Sequence, residues 1–127
     1  MRGLLDTSIF IADERGRELV ASRLPDEAAV SVVTLAELEL GVHLARSEEA
    51  RGRRLRTLQA TRATYVALPV DEEVASAFAE LVATARRAGR RPKIQDTWIA
   101  ATARAHDVAV YTQNGDFDDL AVEAVRV

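Results

Sequence analysis

Ala28-Ala29-Val30-Ser31-Val32-Val33-Thr34-Leu35-Ala36-Glu37-Leu38 changes its periodicity half-way along. Residues 28–33 are small or β-branched and read as a strand. From Thr34 onward, Leu35, Leu38, Val42 and Ala45 recur on one face of a helix, which is expected to run to about Arg46. A strand that passes directly into a helix is the unit of a parallel sheet. The rest of the chain repeats it. Gly3–Asp6, Tyr65–Leu68, Val108–Thr112 and Ala124–Val127 read as strands. Ser8 is expected to cap a short helix. Further helices are expected over Glu14–Leu24, Glu48–Thr61 (Leu55 and Leu58 facing in), Asp71–Ala88 and Gln95–Ala105. Asp71–Ala88 is the clearest, with acids in its first turn, arginines in its last and Gly89 as a stop. The alternation predicts an α/β fold: one domain over residues 1–127, with a central, largely parallel sheet flanked by helices. The strands lack strict polar alternation, as expected where helices cover both faces. Right-handed crossovers then put every strand's carboxyl end on one edge, where ligands bind.

Composition agrees with one globular domain. The chain has 127 residues, 48% hydrophobic and 29% charged, which suits a folded core and argues against disorder. It has no cysteine, which excludes disulfide scaffolds, thiolate zinc sites and a cysteine nucleophile. No apolar run reaches the ~18 residues of a membrane span. Asp6 follows too soon after Met1 for a signal peptide. A soluble cytoplasmic domain is expected. Of 17 cations, sixteen are Arg and Lys93 is the single lysine. Nine of them lie in two acid-free runs, Arg51–Arg56 and Arg86–Lys93, leaving eight elsewhere against 20 acids. Each run reads either as a solvated helix face or as a contact for an anionic partner, for which the guanidinium fork is suited.

The acids at the strand ends carry the chemistry. Asp6 closes the first strand, Glu37 lies a turn into the helix after the second, Asp96 opens a helix, and Asp116 follows the Val108–Thr112 strand. Each also has a structural reading. Asp6-Thr7-Ser8 can cap a helix, Thr34-Leu-Ala-Glu37 has the form of a capping box, Asp96 suits an N-cap, and Asp116 can belong to an Asx turn. Together they would repel one another unless a cation sat among them. Hard carboxylate oxygens suit Mg²⁺ or Mn²⁺.

Four segments resemble the signature blocks of PIN-domain ribonucleases, in particular the VapC toxins of bacterial toxin–antitoxin pairs. They are Leu4-Leu5-Asp6-Thr7-Ser8, Ser31 to Leu38, Asp96 to Ala103, and Thr112-Gln113-Asn114-Gly115-Asp116-Phe117. Their order and spacing are those of the family, and they span nearly the whole chain. The resemblance implies that Asp6, Glu37, Asp96 and Asp116 are the metal-binding and catalytic acids. It implies supporting roles for Thr112 and Asn114. Thr7 and Ser8 are expected to steady Asp6. By the same resemblance the function is a Mg²⁺- or Mn²⁺-dependent endoribonuclease acting on single-stranded or loop RNA, held by a VapB-type antitoxin and forming a homodimer. The antitoxin's C-terminal segment would enter the acidic site with a basic side chain. One position departs from the pattern. Many relatives have Arg between the Thr and the Asn, and here it is Gln113.

The residues leave other readings. A phosphoacceptor signalling domain would carry paired acids near the first strand and a Lys after the last. A phosphatase of another α/β family would have Asp-x-Asp where this chain has Asp6-Thr7-Ser8. A degenerate PIN domain would bind RNA or protein without cutting. His43 and His106 read as structural, and Trp98 as core. With 5% aromatic residues, base-stacking platforms are scarce.

Overall fold

The structure is a computed structural model and describes residues 2–127. In chain order the elements are β1 (Arg2–Leu5), α1 (Thr7–Glu14), a 3₁₀ turn (Ala21–Arg23), β2 (Glu27–Ser31), α2 (Val32–His43), α3 (Glu48–Thr64), β3 (Val66–Leu68), α4 (Glu72–Arg87), α5 (Ile94–Ala105), β4 (Ala109–Thr112) and β5 (Ala124–Arg126). The five strands form one sheet in the order β3-β2-β1-β4-β5. Every pairing is parallel.

β1 is central. From it the chain steps outward to β2 and β3, then crosses by α4 and α5 to β4 on the other side. The order therefore reverses between β1 and β4, the crevice where such sheets bind ligands. Leu4 pairs with Val110 and Leu5 with Tyr111. Successive side chains point to opposite faces. Accordingly, Leu4 and Val110 join Val74, Leu81, Ile99 and Phe117 in the core under α4 and α5. Leu5 and Tyr111 join Ile9, Phe10, Leu38 and Leu58 under α1, α2 and α3. Gly3 lies flat against the buried Tyr111 ring, where any Cβ would collide with it.

Local signals decide the ends of the helices. Asp71 caps α4 by accepting from the Val74 N–H at 3.0 Å. Gly89, at φ +71°, closes it, with Arg90 N–H bonded to Ala85 O and Gly89 N–H to Arg86 O, a Schellman motif. The expected helix over Glu14–Leu24 does not form. The same motif closes α1 at Gly16 (φ +71°), with Arg17 N–H on Ala12 O, and only the 3₁₀ turn follows. α2 starts two residues earlier than expected. Ser31 accepts from Val33 N–H at 3.0 Å, so a cap outweighs the strand preference of Val32 and Val33. In α3, Leu58 is buried, but Leu55, expected to face in, is 39% exposed. Trp98 stacks on Phe78 with ring centres 3.7 Å apart, as a core residue would.

α5 also ends in a Schellman motif, with Val108 N–H on Ala103 O, but its left-handed residue is Asp107 (φ +53°). A side chain there costs energy that glycine does not. Asp107→Gly is expected to raise stability by about 0.5–1 kcal/mol, read as a higher urea midpoint; a lower one would contradict it. Gly3→Ala is expected to cost about 1–3 kcal/mol through overpacking, measured by the same unfolding curve.

Candidate metal centre

Asp6 follows β1 directly, and its N–H continues the ladder to Tyr111 O at 3.0 Å. Its carboxylate is held on both oxygens. Oδ1 accepts from Ser8 N–H at 3.1 Å and Ser8 Oγ at 2.6 Å. Oδ2 accepts from Thr112 Oγ1 at 2.9 Å. Asp6 thus caps α1, the role expected of Ser8, and is itself a site residue. Ser8 Oγ also accepts from Gln113 N–H at 3.0 Å, so one hydroxyl joins the ends of β1 and β4. Asp6 is only 3% exposed. Burial pushes its carboxyl up to about 6, against the pull of these hydrogen bonds.

Glu37 lies inside α2 and does not close a capping box on Thr34, because Ser31 is the cap. Its Oε1 accepts instead from Thr7 Oγ1 at 2.7 Å. Thr7 Oγ1 also lies 3.1 Å from Thr34 Oγ1. Thr7, expected with Ser8 to steady Asp6, therefore orients Glu37, and of the two only Ser8 serves Asp6.

Asp96 is not an N-cap either. Lys93 occupies that position, so Asp96 sits within the first turn of α5. Its Oδ2 is buried without a hydrogen-bond partner. Burial raises its carboxyl to about 6, and the charges of Asp116, Glu37 and Asp6 add to the effect, while Lys93 opposes it. The other three acids are thus within electrostatic reach of Asp96.

Asp116 is presented by a loop built on side-chain turns. Thr112 Oγ1 accepts from Asn114 N–H at 3.2 Å, and Asn114 Oδ1 accepts from Asp116 N–H at 3.0 Å. The Asx residue is thus Asn114 rather than Asp116. Lys93 Nζ lies 3.5 Å from Asp116 Oδ2. Sequence reasoning placed Lys93 in a basic run and missed its place at the acidic edge. The signal was its spacing, one helical turn before Asp96. Gln113 Nε2 donates to the Val127 backbone oxygen, so that side chain is turned to a structural bond. His43 and His106 are exposed ends of α2 and α5, away from this chemistry.

Two clefts, each of about 530 Å³, have arginines in their lining. One touches Glu37 and is lined by Ile11, Glu14, Arg15, Arg53 and Arg54. The other touches Thr97, next to Asp96, and is lined by Arg86, Arg90 and Arg91.

The donor set fits a hard divalent cation. It is all carboxylate oxygen, and one of those oxygens is buried with nothing to bond. Among the described residues no three acidic or histidine side chains are drawn into a ready-made cage.

Residues 3–123 match the family model of the PIN domain. Ribonuclease VapC5 of Mycobacterium tuberculosis is 45% identical, over 98% of this chain and 95% of the relative. The chain belongs to the VapC family of PIN domains. Ribonuclease VapC4 of the same organism is 47% identical to this PIN domain, over 99% of this chain and 97% of the relative. A crystal structure of VapBC-5 from M. tuberculosis, a member of the VapBC family of toxin–antitoxin systems, superposes with a TM-score of 0.91. It is 42% identical and covers 99% of this chain and 98% of that one. No helix among the described residues is long and apolar enough to cross a membrane.

The raised Asp6 carboxyl predicts a pH dependence. Its ordinary value is 3.8 and its folded value about 6, so folding favours the neutral acid. The stability this gives is complete below pH ~4 and is lost as the pH rises through 6. The loss is on the order of 2–3 kcal/mol. In metal-free protein, Asp6→Asn is expected to flatten the fall in stability between pH 4 and 7, followed by thermal unfolding across that range. An equally steep fall in the variant would refute this.

Proposed function

We propose that this PIN domain is a divalent-metal-dependent endoribonuclease toxin, with Mg²⁺ or Mn²⁺ as its ion and single-stranded or loop RNA as its substrate. The observation that carries the reading is Asp96 Oδ2, a buried oxygen without a hydrogen-bond partner, on a carboxyl that feels the charges of Asp116, Glu37 and Asp6.

Asp6 and Asp96 would hold the ion directly. Glu37, steered by Thr7 through Oε1, leaves Oε2 to bind the ion or to orient the attacking water. Asp116 would act through water. Ser8 and Thr112 fix the Asp6 carboxylate on both oxygens, so that it need not reorient during the reaction. A cation bound there neutralises the phosphate, makes a water more acidic and stabilises the leaving oxygen. Hydrolysis then joins a water oxygen to phosphorus and breaks the bond to one bridging oxygen, which leaves with a proton. Lys93 gives the edge a cation of its own, at a site where Gln113 supplies none.

The kinship with VapC proteins, and with a toxin from a toxin–antitoxin system, supports a VapB-type antitoxin as partner and a homodimer as the form it binds. RNA as substrate puts the activity in the cytoplasm.

The test is cleavage of total cellular RNA by purified, antitoxin-free protein. Discrete products are expected with Mg²⁺ or Mn²⁺ and none with EDTA. Asp6→Asn and Asp96→Asn are each expected to lower the rate at least about 100-fold, in the range seen when metal-site support is lost, while circular dichroism stays native. Near-wild-type cutting by either variant would remove that residue from the ligand set. RNA binding without cut ends, unaffected by EDTA, would mean a non-cleaving module.

A further inference from the structure

The two arginine runs are alike in sequence and differ in the fold. In the first, Arg51 lies 3.9 Å from Glu48 and Arg53 lies 3.4 Å from Glu49. Arg54 donates to Gly41 O at 2.7 Å. The cleft that Arg53 and Arg54 line also contains Glu14 and Glu37. Those exposed pairs are weak; what sets this run apart is Arg54's bond to the backbone and the two acids in the cleft.

In the second run Lys93 meets Asp116 at 3.5 Å, but its arginines line a cleft that no acid shares. Arg86, Arg90 and Arg91 line a cleft of about 530 Å³ with Val82, Ile94 and Thr97 and no acid. Arg86 and Arg91 form no ion pair among the described residues. Arg90 meets Asp119 at 3.8 Å, with both side chains more than half exposed, a contact too weak to hold it against a phosphate. A helix C-terminus attracts cations, which accounts for Arg86 but not for Arg90 and Arg91, which lie beyond the end of α4. Pro92 and Ile94 of its lining flank Lys93, whose Nζ lies 3.5 Å from Asp116 Oδ2, so the cleft opens beside one of the acids. Thr97 adjoins Asp96, and its N–H and hydroxyl bond to the backbone oxygen of Lys93 at 3.0 and 2.8 Å. Ile94, 57% exposed, adds an apolar surface on which a ribose can rest.

We propose that this cleft binds the phosphodiester backbone of the RNA strand flanking the bond to be cut. The inference rests on RNA being the substrate. Guanidinium forks take the non-bridging oxygens. A strand held there reaches the carboxylates with its charge already partly neutralised, which the acidic edge alone would oppose.

The test is binding of a fluorescein-labelled, random-sequence 12-nucleotide RNA in EDTA, by anisotropy across a salt series. Arg86→Gln/Arg91→Gln is compared with wild type and with Arg51→Gln/Arg53→Gln, which removes equal charge. The cleft variant is expected to bind about tenfold more weakly, and its log–log salt slope to fall by about 1.4, two phosphate contacts at ~0.7 each. The control is expected to keep the wild-type slope. Equal slopes in the two variants would overturn the proposal. So would wild type that binds no RNA, or a cleft variant that keeps its RNA affinity but loses affinity for an acidic peptide, which would make the cleft a protein contact. Because EDTA prevents cutting, failure of the cleft is read separately from failure of the nuclease reading.

Discussion

The pairing of β1 with β4 is the contact on which the remainder depends. It joins Gly3, Leu4 and Leu5 to Ala109, Val110 and Tyr111, and in doing so defines both faces of the sheet. Leu4 and Val110 go to one core and Leu5 and Tyr111 to the other. A one-residue slip would exchange these sets. It would also separate Asp6 from Thr112, whose hydroxyl fixes one of its carboxylate oxygens. The same register therefore builds the hydrophobic core and the acidic site.

The site stores unfavourable electrostatics, sustained by packing elsewhere. Asp6 is almost fully buried, and Asp96 has a buried oxygen with no hydrogen bond. Around them stand hydroxyls rather than cations: Thr7, Ser8 and Thr112. Hydroxyls orient carboxylates without cancelling their charge, so the edge keeps its attraction for an external cation. Lys93 is a counter-charge at this edge: it pairs with Asp116 at the exposed rim and offsets only part of the effect of burial on Asp96.

Much of this is legible in the sequence where local and tertiary preferences agree. α4 has helical periodicity, a capping Asp71 and a terminal Gly89, and forms within a residue of expectation. The four acids are legible as a set because an α/β pattern sends strand ends to one edge. What is not legible turns on choices between equivalent local signals. Ser31 and Thr34 both suit a cap, and the fold uses Ser31. Thr7 and Ser8 both can serve Asp6, and the helical turn sends Thr7 toward Glu37 on α2. Gly16 stops α1 where hydrophobic spacing alone would continue a helix. The two arginine runs are much alike in composition, and only their neighbours in space show that one lines a cleft shared with acids and the other a cleft without them.

The distance in sequence between Asp6 and Thr112 has a consequence for biosynthesis. A chain emerging from the ribosome exposes Asp6 and Glu37 first. At that stage Asp6 has neither β4 to pair with nor Asp96 to face. The crevice between β1 and β4 cannot close until the strand at Ala109–Thr112 has been made. Pairings between such distant segments form late and slowly. An N-terminal fragment released early carries half the acids and no assembled site, so whatever this edge does is withheld until almost the whole chain has been made.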